Sequence, residues 1–506
     1  MLKRRFKLLL KILVGVMVLF FLMLLVERIR GQVSLARYKR TLISKGEKLS
    51  TKDLVIHFEP NENGAPEVFK AIKELKEGAA VPNSHPPKMQ TTPSGHAVIG
   101  FRETEWTDYK ATNDWSGVAV DLKSNETVLA QIRAALHKPV LNNQLDHAQG
   151  FKMHFEHLTP AKSLVHWFGA AGQLALHEGK THEALEDLTN QICLPRLLAE
   201  DRIAISELVR IAIAAVAKTA TWEALQADGW CDEDLVRVQE AVQGQQFISA
   251  MARSLEGERV FDDVTHDLLR KSNEDTYEVL NWTEVFHQDE EEKAWFWKKI
   301  PDWNKVTAIF KKQIYCRIWR FAWSHQDQRR SLEQQQHLIE LARTAASEKS
   351  SASIQPVLDK LAAESISKSW YAKLRYPQSA LALSTVVGRA MHAETERSMT
   401  VCAIALKRHS LRHGKHPASL AALVPEFISS VPVDYMDGQP MKYHLNADGS
   451  FTLYSVGDDG KDDGGDAALP PEKKGSNNLW NRKDFIWPAP ASPDEVIAWR
   501  KEAARN

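Results

Sequence analysis

The run from Leu8 to Val26 is apolar throughout except for Lys11. At roughly 19 residues it approaches the ~20 that a helix needs to cross a bilayer. Lys11 lies near enough to the end of the run to reach the headgroups with its ammonium. Lys3, Arg4, Arg5 and Lys7 precede it, the charge pattern of a cytoplasmic start. Arg28, Arg30, Arg37, Lys39 and Arg40 follow it and weaken that asymmetry. A cleaved signal peptide is the rival reading, and it needs small residues directly after the apolar run. Glu27-Arg28-Ile29-Arg30 stands there instead, and Ser34-Leu35-Ala36 lies too far downstream. The expectation is an uncleaved transmembrane anchor over residues 1–31. No second stretch is long and apolar enough to span, so the body is expected on one side, outside the cytoplasm.

A chain of 506 residues has room for two or three domains. Lys+Arg and Asp+Glu both total 65, so overall charge argues against a nucleic-acid partner. Cys193, Cys231, Cys316 and Cys402 lack the spacing of a zinc knuckle or redox pair. They read as isolated buried thiols, with a Cys193–Cys231 bridge as the alternative in an oxidising compartment.

Residues 32–124 read as short helices and a Pro-rich linker. Gly46 stops a helix begun near Arg37, and Pro66 opens another with Phe69, Ile72 and Leu75 on one face. Pro82, Pro86, Pro87, Pro93, Ser94 and Gly95 mark linker, and Trp106 to Asn125 reads as loop. Residues 125–395 read as an α-helical body of stacked hairpins, solenoid-like but without a fixed repeat period. Leu164, Trp167, Phe168, Ala171 and Leu174 recur at helical spacing until Gly179-Lys180. Ala184, Leu185, Leu188 and Ile192 form the next stripe. Ile203 to Ala217 is apolar on more than one side, as in a helix buried among others. Asp232-Glu233-Asp234 opens a helix that turns Leu235, Val238 and Val242 inward. Trp282, Trp295, Phe296, Trp297, Trp303, Phe310, Tyr315, Trp319, Phe321 and Trp323 concentrate aromatic mass. They read as core around a turn at Pro301, with an aromatic ligand groove as the alternative. Pro356 is expected to split a helix running from Leu332 to Leu361.

Catalytic signatures are weak. Gly179-Lys180-Thr181 lacks the earlier glycine and the preceding strand of a phosphate loop. His154, Glu156 and His157 crowd together, yet histidines three apart do not match a zinc-protease helix. Ser365-Ile366-Ser367-Lys368 has serine–lysine spacing without a companion motif.

The most informative stretch is residues 396–468. Met399, Cys402 and Leu406 share a helix face, and Gly414 with Pro417 ends that helix. Met441–Leu445 and Ser450–Ser455 alternate around Asn446-Ala447-Asp448-Gly449, a hairpin pattern. Asp458, Asp459, Asp462, Asp463 and Asp466 then crowd a glycine-rich loop. Like charges this close repel, and a hard cation held by these carboxylates, with Ser455 alongside, would order the loop.

The order Gly414-Lys415-His416-Pro417, Leu420, Leu423-Val424-Pro425, Val431-Pro432-Val433-Asp434, Gly438-Gln439-Pro440, Tyr443, Tyr454-Ser455-Val456-Gly457, Asp459-Gly460, Gly464-Gly465 resembles the globular head of the major pseudopilin of type II secretion systems. That resemblance implies calcium in the terminal loop. The chain departs from that family in three ways: no Gly-Phe-Thr-Leu leader site, a long body between anchor and head, and a tail at 469–506 beyond the loop. The whole layout also resembles a group of uncharacterised bacterial membrane-anchored proteins, through Tyr38, Lys45-Gly46-Glu47 and Gly257-Glu258-Arg259. That group supplies no activity.

The expected fold class is mostly α: a transmembrane helix, a helical-hairpin body, and a small C-terminal α+β pseudopilin-like head. The expected role is a non-enzymatic single-pass protein of the bacterial inner membrane. Its body would be periplasmic and would bind an envelope protein partner, and calcium would order the head. The alternatives are a hydrolase with a site in the helical body, and a divergent type II secretion or pilus-associated component.

Overall fold

The computed structural model describes residues 2–82, 89–108, 111–285, 309–365, 380–473, 476 and 478–503. Helix α1 runs unbroken from Leu2 to Ser44. Residue 31, where the anchor was expected to end, lies inside it, and Arg37–Lys39 continue it instead of starting a helix of their own. No proline interrupts this stretch. Gly46 ends it at φ +79°, as its N–H and that of Glu47 bond back to the carbonyls of Ile43 and Leu42. The apolar first half is exposed from Phe6 to Phe21, whereas Leu35 and Leu42 in the second half are buried.

Helix α2 (Ala65–Ile72) buries Ala65, Val68 and Ala71, while Phe69 and Ile72 pack at its edge. The stretch expected as loop after Trp106 folds into a short hairpin, β1 (Trp106–Asp108) with β2 (Ala111–Asn113), and helix α3 (Trp115–Ser124). Asp114 starts that helix by accepting the Gly117 N–H at 2.6 Å. Helices α4 (Glu126–Leu136), α5 (Leu158–His177), α6 (Thr181–Cys193), α7 (Ala204–Leu225) and α8 (Asp232–Gln243) follow. Gly179, at φ +73°, separates α5 from α6. The stripes expected on α6 and α8 are buried. Asp232 pairs with Arg408 and Arg412 across the body.

Helices α9 (Ile248–Leu269) and α10 (Asn273–Val285) come next. The chain from Lys311 to Trp323 includes two wide π turns and feeds α11 (Ser324–Glu348). Trp295, Phe296, Trp297 and Trp303, the turn at Pro301, the linker prolines Pro86 and Pro87, and the Ser-x-x-Lys spacing past Ser365 lie outside the described residues. Trp319 is buried with its indole N–H on Asp327, which is core packing. The break expected at Pro356 falls instead at Lys349, in the left-handed region at φ +55°. Pro356 sits inside α12 (Ser351–Ser365), where its missing N–H leaves the Ala352 carbonyl without its helical donor.

Helix α13 (Ala380–His413) joins two apolar cores. Val386, Val387, Ala390 and Met391 pack with α9 and α11. Met399, Cys402 and Leu406 pack with α5, α7 and α8. Gly414 ends α13 at φ +71°. Strands β3 (Lys442–Leu445) and β4 (Phe451–Ser455) pair antiparallel, with Tyr443 opposite Leu453. Strand β5 (Phe485–Ile486) adds a third strand from beyond residue 468. The tail is therefore part of the sheet. Leu453, Phe485 and Trp487 share one core with α5 to α8, so the C-terminal module is fused to the body. Helix α14 (Pro493–Ala503) closes the described chain.

Among the described residues no disulfide forms, so the Cys193–Cys231 bridge is not made; Cys316 and Cys402 are buried, Cys193 is half-buried and Cys231 is exposed.

Candidate functional site

A buried polar cluster joins the end of α1 to α9 and α11. Arg259 of α9 is fully buried. Its guanidinium donates to Glu47 at 3.0 Å, to the Lys48 carbonyl at 2.6 Å and to the Gln336 side chain. Gln336 donates in turn to Glu47 at 3.0 Å, and Arg343 reaches Glu47 at 2.6 Å and Glu256 at 2.8 Å. Burial pushes the Glu47 carboxyl up, but donors from Arg343, Gln336 and Arg259 outweigh it and hold the group at about 2. One turn before the end of α1, Lys39 pairs with Asp263 at 2.6 Å, and Gln328 donates to the same carboxylate. Burial, with Glu333 and Glu340 nearby, raises the Tyr38 hydroxyl to about 12.

The neighbours of Arg259 have their own roles. A Cβ on Gly257 would collide with the Arg202 carbonyl oxygen. Glu258 accepts the Ala204 N–H at 3.1 Å where α7 begins, and burial lifts its carboxyl to about 7. Tyr38, Gly46-Glu47 and Gly257–Arg259, singled out separately in the sequence, thus meet at one junction. This node fixes backbone and charge.

The acidic loop is organised differently. Asp458 lies 2.5 Å from His392, Asp459 lies 3.7 Å from Lys461, and Asp466 lies 2.7 Å from Lys483. Asp462 accepts from the Tyr454 hydroxyl at 2.9 Å and from the Gly464 N–H. Ser455 points away, donating to the buried Asp434 at 2.8 Å. Among the described residues, no three His, Cys, Asp or Glu side chains are grouped to hold a metal ion. The residue that organises the loop is Asp484, absent from the sequence reading. Its carboxylate accepts the N–H groups of Asp463, Gly465 and Asp466. Asp434 does the same for Met436 and Val456. Burial raises both carboxyls while those N–H donors draw them back. Nothing local in the sequence marks Asp484, because its partners lie 18 to 21 positions away.

Of the hydrolase candidates, His154 and Glu156 are exposed. His157 pairs with the buried Asp201 at 2.7 Å, as in a carboxylate-oriented base. Its ring closes edge-on against Phe69 at 6.0 Å, and Asn143 takes the other Asp201 oxygen. The pair pins the start of α5. A cavity between α7, α8 and α13, lined by Lys218, Gln245, Phe247 and Glu396, measures about 30 Å³. That is room for water, not for an organic substrate.

Fold and site define a class: a mostly helical chain with one exposed apolar N-terminal helix long enough to cross a membrane, joined to its body by a buried polar node. Comparison with family models, curated proteins and solved structures returns no match.

Proposed function

We propose that this chain is a single-pass membrane protein whose helical body stands directly on the bilayer and offers its surface to protein partners. The observation that carries the reading is the divided character of α1. Its first half exposes Leu8 to Phe21, side chains with no place in water. Its second half buries Leu35 and Leu42 and delivers Glu47 to Arg259. One rigid helix serves both halves, so the body has no flexible tether and holds a set orientation. Lys3, Arg4, Arg5 and Lys7 before the apolar run support a body outside the cytoplasm. The C-terminal module, which resembles a pseudopilin head, acts in this reading as a docking surface. The small cavity and the closed His157–Asp201 pair favour it over the hydrolase.

Membranes carrying the chain, washed with alkaline carbonate, test the anchor. We expect the chain to stay in the pellet and detergent to release it; release by carbonate overturns the reading. The exposed Cys231 tests orientation. A membrane-impermeant maleimide is expected to label it in intact spheroplasts, and labelling only after lysis places the body inside.

A further inference from the structure

We infer that residues 309–321 make a second contact with the bilayer, lying in its interface beside the anchor. The inference rests on α1 being an anchor. Helix α1 and the chain from Phe321 into α11 run in the same direction. Phe21 stacks on Phe321 at 5.9 Å, Glu27 receives Gln326, Ser34 receives Arg329, and Glu47 receives Gln336 and Arg343. The first of these contacts lies inside the apolar run of α1. Any bilayer that covers Phe21 therefore reaches Phe321.

Upstream of Phe321 the chain packs against α10 and leaves apolar side chains exposed. Ile314 and Ile309 precede Phe321 by seven and twelve residues. Ile309 is 63% exposed, Phe310 54% and Ile314 48%. Phe310 and Ile314, four positions apart, are both exposed, and Phe321 follows after the second π turn has begun.

The other face decides depth. Lys312 pairs with Glu274 at 2.6 Å, the Asn273 amide donates to the Lys312 carbonyl, and Arg320 donates to the Arg270 carbonyl. Helix α10, with Glu274, Asp275 and Glu278, thus packs on the side away from the apolar residues. Those carboxylates need water, so the segment sits at the boundary and does not span. Arg28 stands over the Phe321 ring at 4.9 Å, and Arg317 is exposed. Both are placed for anionic headgroups. The occupant of this face is the acyl–headgroup boundary of the bilayer, continuous with the surface that covers α1.

The test uses the full chain with Cys193 and Cys231 replaced by serine, reconstituted in phosphatidylcholine–phosphatidylglycerol vesicles. Nitroxides are attached one at a time at Ile309→Cys, Ile314→Cys, Met17→Cys and Leu411→Cys. Power saturation then compares accessibility to oxygen with accessibility to a water-soluble nickel chelate. We expect Met17→Cys to read as bilayer interior and Leu411→Cys as water. Ile309→Cys and Ile314→Cys should show an oxygen-to-nickel ratio several-fold above Leu411→Cys and below Met17→Cys. If both match Leu411→Cys while Met17→Cys stays buried in lipid, the second contact is overturned and the anchor stands. If Met17→Cys also reads as water, the anchor and the inference fall together.

Discussion

Five aspartates crowd residues 458–466, whereas Glu47 and Arg259 lie 212 positions apart in the chain. The first group stands out in the sequence; the second becomes visible as a pair only in the fold. Yet the loop's carboxylates are mostly exposed and partnered one by one, and such pairs contribute about 0–1 kcal/mol each. The Glu47–Arg259 node is buried, and removing one partner of such a pair costs about 3–5 kcal/mol. Local density of charge shows where repulsion must be managed. It does not show where the stabilising contacts are.

The sharpest way to break this comparison is Arg259→Met. We expect it to destabilise the detergent-solubilised full chain by about 3–5 kcal/mol in chemical denaturation, because Glu47, the Lys48 carbonyl and the Gln336 side chain all lose a buried donor. Adding Glu47→Gln should restore part of that loss. Asp459→Asn should stay within about 0.5 kcal/mol of the parent. Equal losses at Arg259 and Asp459 would erase the distinction drawn here.

Proton linkage sharpens it at intermediate size. Glu47 is held near 2 against an ordinary 4.5, so its contribution is present above about 4.5 and is lost as pH falls toward 2. Burial lifts Glu223 and Glu258 to about 7, so the folded chain takes up their protons first. Stability from these two rises as pH falls from about 7 to 4.5. The combined profile peaks near pH 5. Glu258→Gln should flatten the limb between 4.5 and 7 by on the order of 3 kcal/mol, and a limb of unchanged slope would remove Glu258 from the account. The smallest effect concerns the loop. With Asp484, His392 and Lys483 as its partners, thermal melts of the full chain are expected to be indifferent to chelator and to added calcium. A transition that drops on chelation would put a cation back into the loop.

Much of the architecture was legible because it depends on short-range geometry. The stops at Gly46, Gly179 and Gly414 follow from a left-handed backbone that glycine adopts at little cost. The β3–β4 register follows from alternation around Asn446–Gly449. The buried stripes of α6 and α8 follow from helical period. Other features were not legible. Asp114 is one residue whose capping hydrogen bond decides α3, and the stretch around it reads as polar loop. Strand β5 is two residues long and exists because β4 offers it an edge. Asp484 is found by backbone N–H groups rather than by a motif.

By itself, the sequence determined that an apolar helix opens the chain, that helices dominate the middle, and that a hairpin stands near the end. These follow from hydrophobic period, chain stereochemistry and turn residues, all of which act within a few positions. Only the tertiary structure decided that the apolar helix continues as a strut into the body, that Arg259 receives Glu47, and that the tail completes the sheet. Burial sets those outcomes: a charge taken out of water must find its partner wherever the fold brings one, at any distance along the chain.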